Sequence, residues 1–105
     1  MYDIRMDDVI AERELTFQAA GSDMEERVMV RLGRPRVEAH RPLYTLRYEI
    51  IGPAGRQVNH FACGEDSMQA LSLVFIAINA RLDHIKRLGR LTWLGSEDLH
   101  FPAGA

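Results

Sequence analysis

The stretch "CGEDSMQALSLVFIAINARL" (Cys63–Leu82) decides the fold, because Asp66 and Gln69 stand between a glycine and a long apolar run. Two polar residues so placed mark either the remains of an active site or the start of a helix. The spacing argues for the helix. Asp66 suits an N-cap, its carboxylate accepting the backbone N–H of Gln69, and Gln69 at the third helical position reaches back in a capping box. A carboxylate there also meets the favourable end of the helix dipole. Lys86 and Arg87 in the last turn, followed by Gly89 as C-terminal cap, give the stop. The signals predict a helix over Ser67–Leu88, about 33 Å long at ~1.5 Å per residue.

Met68, Leu71, Val74, Phe75, Ile78, Leu82 and Ile85 fall in one stripe at helical spacing and are expected to cover a sheet. Leu73, Ile76, Ala77 and Ala80 point largely the other way, where a one-sided surface helix would carry charge. That second apolar face needs cover, from the C-terminal tail or from a second copy of the chain.

Upstream of the helix, apolar residues recur at every second position. In "VIAERELTFQA" (Val9–Ala19), Val9, Ala11, Leu15, Phe17 and Ala19 alternate with polar residues, a strand interrupted only by Arg13. "AGSD" (Ala20–Asp23) is a turn, and "ERVMVRL" (Glu26–Leu32) alternates again, so the two segments read as an antiparallel pair. "GRPRVEAHRP" (Gly33–Pro42) is a loop. "LYTLRYEII" (Leu43–Ile51) is the strongest strand, and "GPAG" (Gly52–Gly55) is a type I turn leading back into "RQVNHFAC" (Arg56–Cys63). The expected fold class is α+β: a four-stranded antiparallel β-meander packed against one long α-helix. Residues 1–8 are expected to form a flexible acidic lead-in and residues 90–105 a C-terminal lid on a single domain.

Composition agrees with that frame. The chain has 105 residues, 47% hydrophobic and 27% charged, with a net charge of -2 and one cysteine. This is ordinary for one globular core and excludes an intrachain disulfide. The charged start lacks the apolar block of a secretion signal, and Ala70–Ala80 is too short to cross a bilayer. A cytoplasmic protein is expected, with no membrane contact. The absence of a clustered basic excess argues against nucleic acid.

Several constellations invite chemistry. His40, His60, His84 and His100 lie in a loop, a strand, the helix and the tail, with no pair at ligand spacing, so no metal is expected. Cys63 beside a helix start raises a nucleophilic thiolate, with His60 at the same strand end as its base, but a small buried cysteine is the commoner reading. Gly64, Glu65 and Asp66 open a helix but carry two carboxylates that would repel a phosphate. Glu12, Glu14 and Glu49 read as solvated charges on the wet face of the sheet. No catalytic residue and no cofactor is assigned.

The order of pieces resembles a family of small, uncharacterised bacterial proteins. It rests on "ERELTF" (Glu12–Phe17), "RLGRP" (Arg31–Pro35), a strand pair, "GEDSMQALSLVFIAI" (Gly64–Ile78), "LTWLG" (Leu91–Gly95) and "FP" (Phe101–Pro102). The most specific parts are G-x-D-x-x-Q-A-L and L-T-W-L-G. The resemblance implies architecture and bacterial origin, and no activity. It also implies a glycine immediately before the F-P pair, where this chain carries His100, a difference bearing on tail conformation.

Three functions follow as expectations. The first is a non-enzymatic protein-interaction module, a homodimer among its forms. An accessory or immunity-type protein that neutralises a partner is a further form, by analogy of size and class. Its surface is Leu73, Ile76, Ala77 and Ala80, with the basic loop of Arg34, Arg36 and Arg41. The alternative is a small-molecule-binding or enzymatic domain with a pocket between sheet and helix, lined by Tyr44, Tyr48, His60 and Trp93. Nucleic-acid binding through the Arg34–Arg41 loop ranks last.

Overall fold

The computed structural model describes residues 8–37 and 42–102. Its elements in chain order are β1 (Val9–Ala19), β2 (Glu25–Gly33), β3 (Arg36–Val37), β4 (Tyr44–Ile51), β5 (Gln57–Gly64), α1 (Ser67–Lys86) and β6 (Gly89–Thr92). The class is α+β, one helix packed against an antiparallel sheet. Strands β1, β2, β4 and β5 are neighbours in that order. The sheet is nevertheless larger than a four-stranded meander, because β3 and β6 join it.

Both additions have a local cause. Arg36 pairs with Thr45 and Val37 with Tyr44, on the side of β4 that Met29–Leu32 of β2 occupies further along. Thus β2 and β3 run end to end, broken where Pro35 has no N–H to give to the ladder. The expected loop therefore contains two strand residues. The expected lid begins as β6, which pairs with β1 by setting Phe17 opposite Leu91. A side chain at Gly89 would strike the Gln18 carbonyl and lie 2.9 Å from Ala19 Cα. Glycine is needed there for close approach between strands. The helix instead ends at Lys86, two residues earlier than predicted, with right-handed Arg87 as its C-cap.

The turn after β4 also departs from expectation. Gly52 is followed by a cis peptide bond to Pro53, and Ala54 has φ 58°, which excludes a type I turn. Gly52 N–H still closes the turn on Arg56 O at 2.7 Å.

Alternation decides which sheet face is buried. Leu15 and Phe17, then Val28, Val30 and Leu32, then Leu46, Tyr48 and Ile50 share one face and are all buried. From α1, Ala70, Val74, Ile78, Leu82 and Ile85 complete the same core. Burying the four larger helix side chains is worth up to about 6–12 kcal/mol at ~1.5–3 kcal/mol each. That outweighs the ~1 kcal/mol of a helix cap, so packing holds the helix and the cap sets where it starts. Met68, expected in the buried stripe, is 77% exposed. At 100° per residue it lies about 100° from the stripe's centre. Leu71 and Phe75 flank the core, half-buried.

The G-x-D-x-x-Q-A-L segment is a helix-start device. Gln69 N–H donates to Asp66 Oδ1 at 2.7 Å, and Gln69 Oε1 accepts from Glu65 N–H at 2.6 Å. Ala70 is fully buried, and a side chain on Gly64 would lie 2.9 Å from Ala70 Cα. Glycine and alanine thus let the end of β5 touch the first turn of α1.

Candidate functional site

Arg13, the interruption in the first strand, organises the tail. It pairs with Val30 and so sits on the core face of the sheet. Its Nη1 donates to Leu99 O at 3.0 Å and to His100 O at 2.9 Å. Its guanidinium carbon lies 4.0 Å from the centre of the Trp93 ring and 4.8 Å from that of Phe101. A cation on a buried strand face must be paired or solvated, and here carbonyls and π-faces from residues 93–101 satisfy it.

The tail reaches Arg13 through two left-handed bends. Trp93 and Ser96 exchange N–H···O bonds of 2.8 and 2.9 Å around Leu94 (φ 51°) and Gly95 (φ 82°), a two-residue hairpin of type I′ geometry. Leu94 at its tip is 86% exposed. Beyond it, Asp98 Oδ1 accepts His100 N–H at 2.9 Å, and His100 has φ 55°. This is the position before F-P, where the backbone favours glycine. The imidazole stands edge-on to Trp93 with ring centres 5.4 Å apart, its Nε2 3.6 Å from Asp98 Oδ2. Phe101 then packs on Phe75 of α1 at 6.1 Å, and Asn79 donates to Pro102 O at 2.7 Å.

Between β1, β2, α1 and this tail lies an open cleft of about 330 Å³, walled by Val30, Leu32, Phe75 and Phe101 with Arg13 and His100 at its polar side. Its size is that of small-ligand pockets.

The sequence-predicted residues lie elsewhere. Tyr44 and Tyr48 are on the core face of β4, Tyr48 buried, and the His60 ring is 6.4 Å from that of Tyr48. His60 stacks on its neighbour Phe61 at 5.4 Å. Trp93 follows β6, which pairs with β1, whereas His60 belongs to β5 beyond β4. The structure does not bring Trp93 together with the other three. Cys63 pairs opposite Thr45 and His60 opposite Tyr48, on alternate faces of β5, with Cys63 Sγ 3.7 Å from Thr45 Oγ1.

On the outer side of α1, Leu73 is 39% and Ile76 44% exposed, Ala80 is exposed, and Ala77 is half-buried against the core. Among the described residues the tail contacts Phe75 and Asn79 and leaves the line Leu73–Ile76–Ala80 open. Arg34 is exposed, and Arg36 is exposed and ion-paired with Asp8. Arg41, His40 and residues 1–7 lie outside the described residues. Among those described, no group of His, Cys, Asp and Glu is arranged to hold a metal. No helix among them is long and apolar enough to cross a membrane.

The sheet face away from α1 carries a charge ladder. Glu12, Arg31 and Glu49 stand opposite one another on β1, β2 and β4, with Arg31 Nε 3.1 Å from Glu12 and Nη1 3.3 Å from Glu49. Glu49 is 2% exposed. The Glu49 carboxylate, aided by Glu12, pushes the Arg31 guanidinium above its ordinary pKa.

No curated protein and no solved structure matches the chain. A family model does: a domain of unknown function, DUF6968, matches residues 11–103. The match runs from Ala11 within β1 past the F-P pair, and the chain belongs to that family.

Proposed function

We propose that this protein is a non-enzymatic interaction module whose outer α1 face pairs with a second copy of the chain. The observation that carries this reading is the line of Leu73, Ile76 and Ala80, apolar and exposed on a helix whose opposite face is buried through Ala70, Val74, Ile78, Leu82 and Ile85. Their spacing of three and four is that of a helix–helix seam.

Charge and size favour an antiparallel partner. A two-fold axis between Ile76 and Ala77 sets Leu73 opposite Ala80 at both ends, a large residue against a small one. The same register sets Asp66 opposite Arg87, with Glu65 and Lys86 alongside, so acidic helix starts meet basic helix ends. A parallel pair would oppose like charges. The seam is small beside the ~800 Å² per partner of a standard interface, so the dimer is expected to be weak and concentration-dependent.

Sedimentation from micromolar to millimolar protein tests it. A rise toward dimer mass that Ile76→Asp abolishes, with the helical CD signal unchanged, supports the reading. A wild-type monomer across the range refutes it.

A further inference from the structure

The geometry points to a binding site for a small organic carboxylate with an apolar body, in the cleft between β1, β2, α1 and the tail. Three observations converge there. The walls are Val30, Leu32, Phe75 and Phe101, which suit a branched or aromatic group. The polar side is formed by Arg13 and His100, and an arginine fork matches a carboxylate with two parallel N–H bonds. Among the described residues, both bonds that Arg13 donates use Nη1, and Nε and Nη2 carry further N–H groups.

The third observation is backbone strain at the cleft's edge. His100 holds φ 55°, where glycine would sit unstrained, yet it lines the cleft, with its ring edge-on to Trp93 and 3.6 Å from Asp98. A non-glycine residue held in the left-handed region at a cavity's edge points to a use for the side chain in this chain.

Other charges nearby do not cancel the site. Glu12 also borders the cleft, but its carboxylate is engaged by Arg31 Nε at 3.1 Å on the other face of the sheet. The Asp98 side chain is 71% exposed and is spent on the His100 N–H. A neutral ligand would use the walls and leave the Arg13 donors unmatched, and the amide of the same acid isolates that difference.

Trp93 is the chain's one tryptophan and lies against both Arg13 and His100, so its emission reports on the cleft. The purified chain is titrated with phenylacetate and isovalerate, and with the matching amides, to about 10 mM, the range expected for ligands of this size. Saturable emission changes with the acids are expected, with amides weaker by about tenfold or more and methyl NMR shifts centred on Val30 and Leu32. Arg13→Gln should weaken the acids by a similar factor. Because that variant disturbs the tail, His100→Gly serves as the second: it removes the imidazole at a position made for glycine, and several-fold weaker binding with no loss of Tm is expected. Absence of saturation with both acids, equal affinity for the amides, or shifts centred away from the cleft overturns the proposal. Unchanged affinity in His100→Gly removes His100 from the site and overturns that part of it.

Discussion

Replacing Arg13 with methionine should free the tail while leaving the sheet–helix core folded. The side chain's aliphatic stem is kept, so the change removes the guanidinium alone. Two hydrogen bonds from a cation, to the carbonyls of Leu99 and His100, are lost. Each is worth ~1.5–3 kcal/mol in a dry site, but the bond to His100 is exposed and water can replace it, so about 2–3 kcal/mol is expected for both. Stacking on Trp93 and Phe101 adds ~0.5–1 kcal/mol each at partly wet positions, some of which methionine recovers. The net is about 2–4 kcal/mol, set against the cost of holding Leu94 and His100 at positive φ. With a urea m-value of ~2 kcal/mol/M, the middle of the range for small domains, the tail's transition should move down by roughly 1–2 M.

Two probes separate tail from core. Trp93 emission reports the tail, and far-UV CD reports α1 and the sheet. Wild-type curves should coincide, as for a two-state domain. In Arg13→Met the emission curve should fall earlier than the CD curve, because β6, with Leu91 buried at 3% exposure, stays paired to β1. Coincident curves with a loss under ~0.5 kcal/mol would show that Arg13 merely rests on the tail and does not hold it in place.

Three further outcomes follow from named contacts. His100→Ala keeps the strain and loses the ring, so it should be less stable than His100→Gly by about 1 kcal/mol in urea melts; equal stabilities would deny the strain. Asp66→Ala removes the N-cap acceptor of Gln69 N–H and should cost about 1 kcal/mol, read as ~4–8 °C in Tm. Glu49→Ala should cost about 1–3 kcal/mol, below a fully buried pair because the Arg31 side chain is one-third exposed and keeps Glu12. Since Glu49 raises the Arg31 pKa, the guanidinium's contribution is complete below the unfolded-state pKa and is lost only in strong alkali. Denaturation across neutral pH should therefore show no step from this ladder's arginine.

The helix was legible because its start is written in residues with one efficient use. Asp66, Gln69 and Ala70 at that spacing cap, reach back over and close-pack a first turn. Three strands were legible from period-two alternation, and the fourth from its hairpin turn. What escaped has a shared cause: tertiary partners distant in sequence. Arg13 looked like a flaw in a strand because its carbonyl and ring partners lie eighty or more residues away. Two signals did exist, since the alternation put a cation on a buried face and the tail offered aromatic rings without partners. Gly89 looked like a helix cap because its contact with β1 is visible only in three dimensions. Met68 shows the limit of periodicity, which counts apolar residues in a stripe and cannot say how wide a stripe the sheet will cover.

Helix α1 carries the tail on one flank and its open apolar line on the other. Phe75 and Asn79 touch the tail, and at 100° per residue they lie about 120° round the axis from Leu73, Ile76 and Ala80. A rigid helix held by five buried side chains gives no route for one flank to bias the other. Coupling between sites requires an element with two arrangements that both sites favour differently, and it is reciprocal where it exists. Ile76→Asp should therefore leave carboxylate affinity and Trp93 emission unchanged, and Arg13→Gln should leave the association constant unchanged. If saturating phenylacetate shifted the monomer–dimer equilibrium, dimerisation would have to shift phenylacetate affinity by the same factor. That result would make α1 a moving part, and the rigid packing of Val74, Ile78 and Leu82 on the sheet would no longer describe both states.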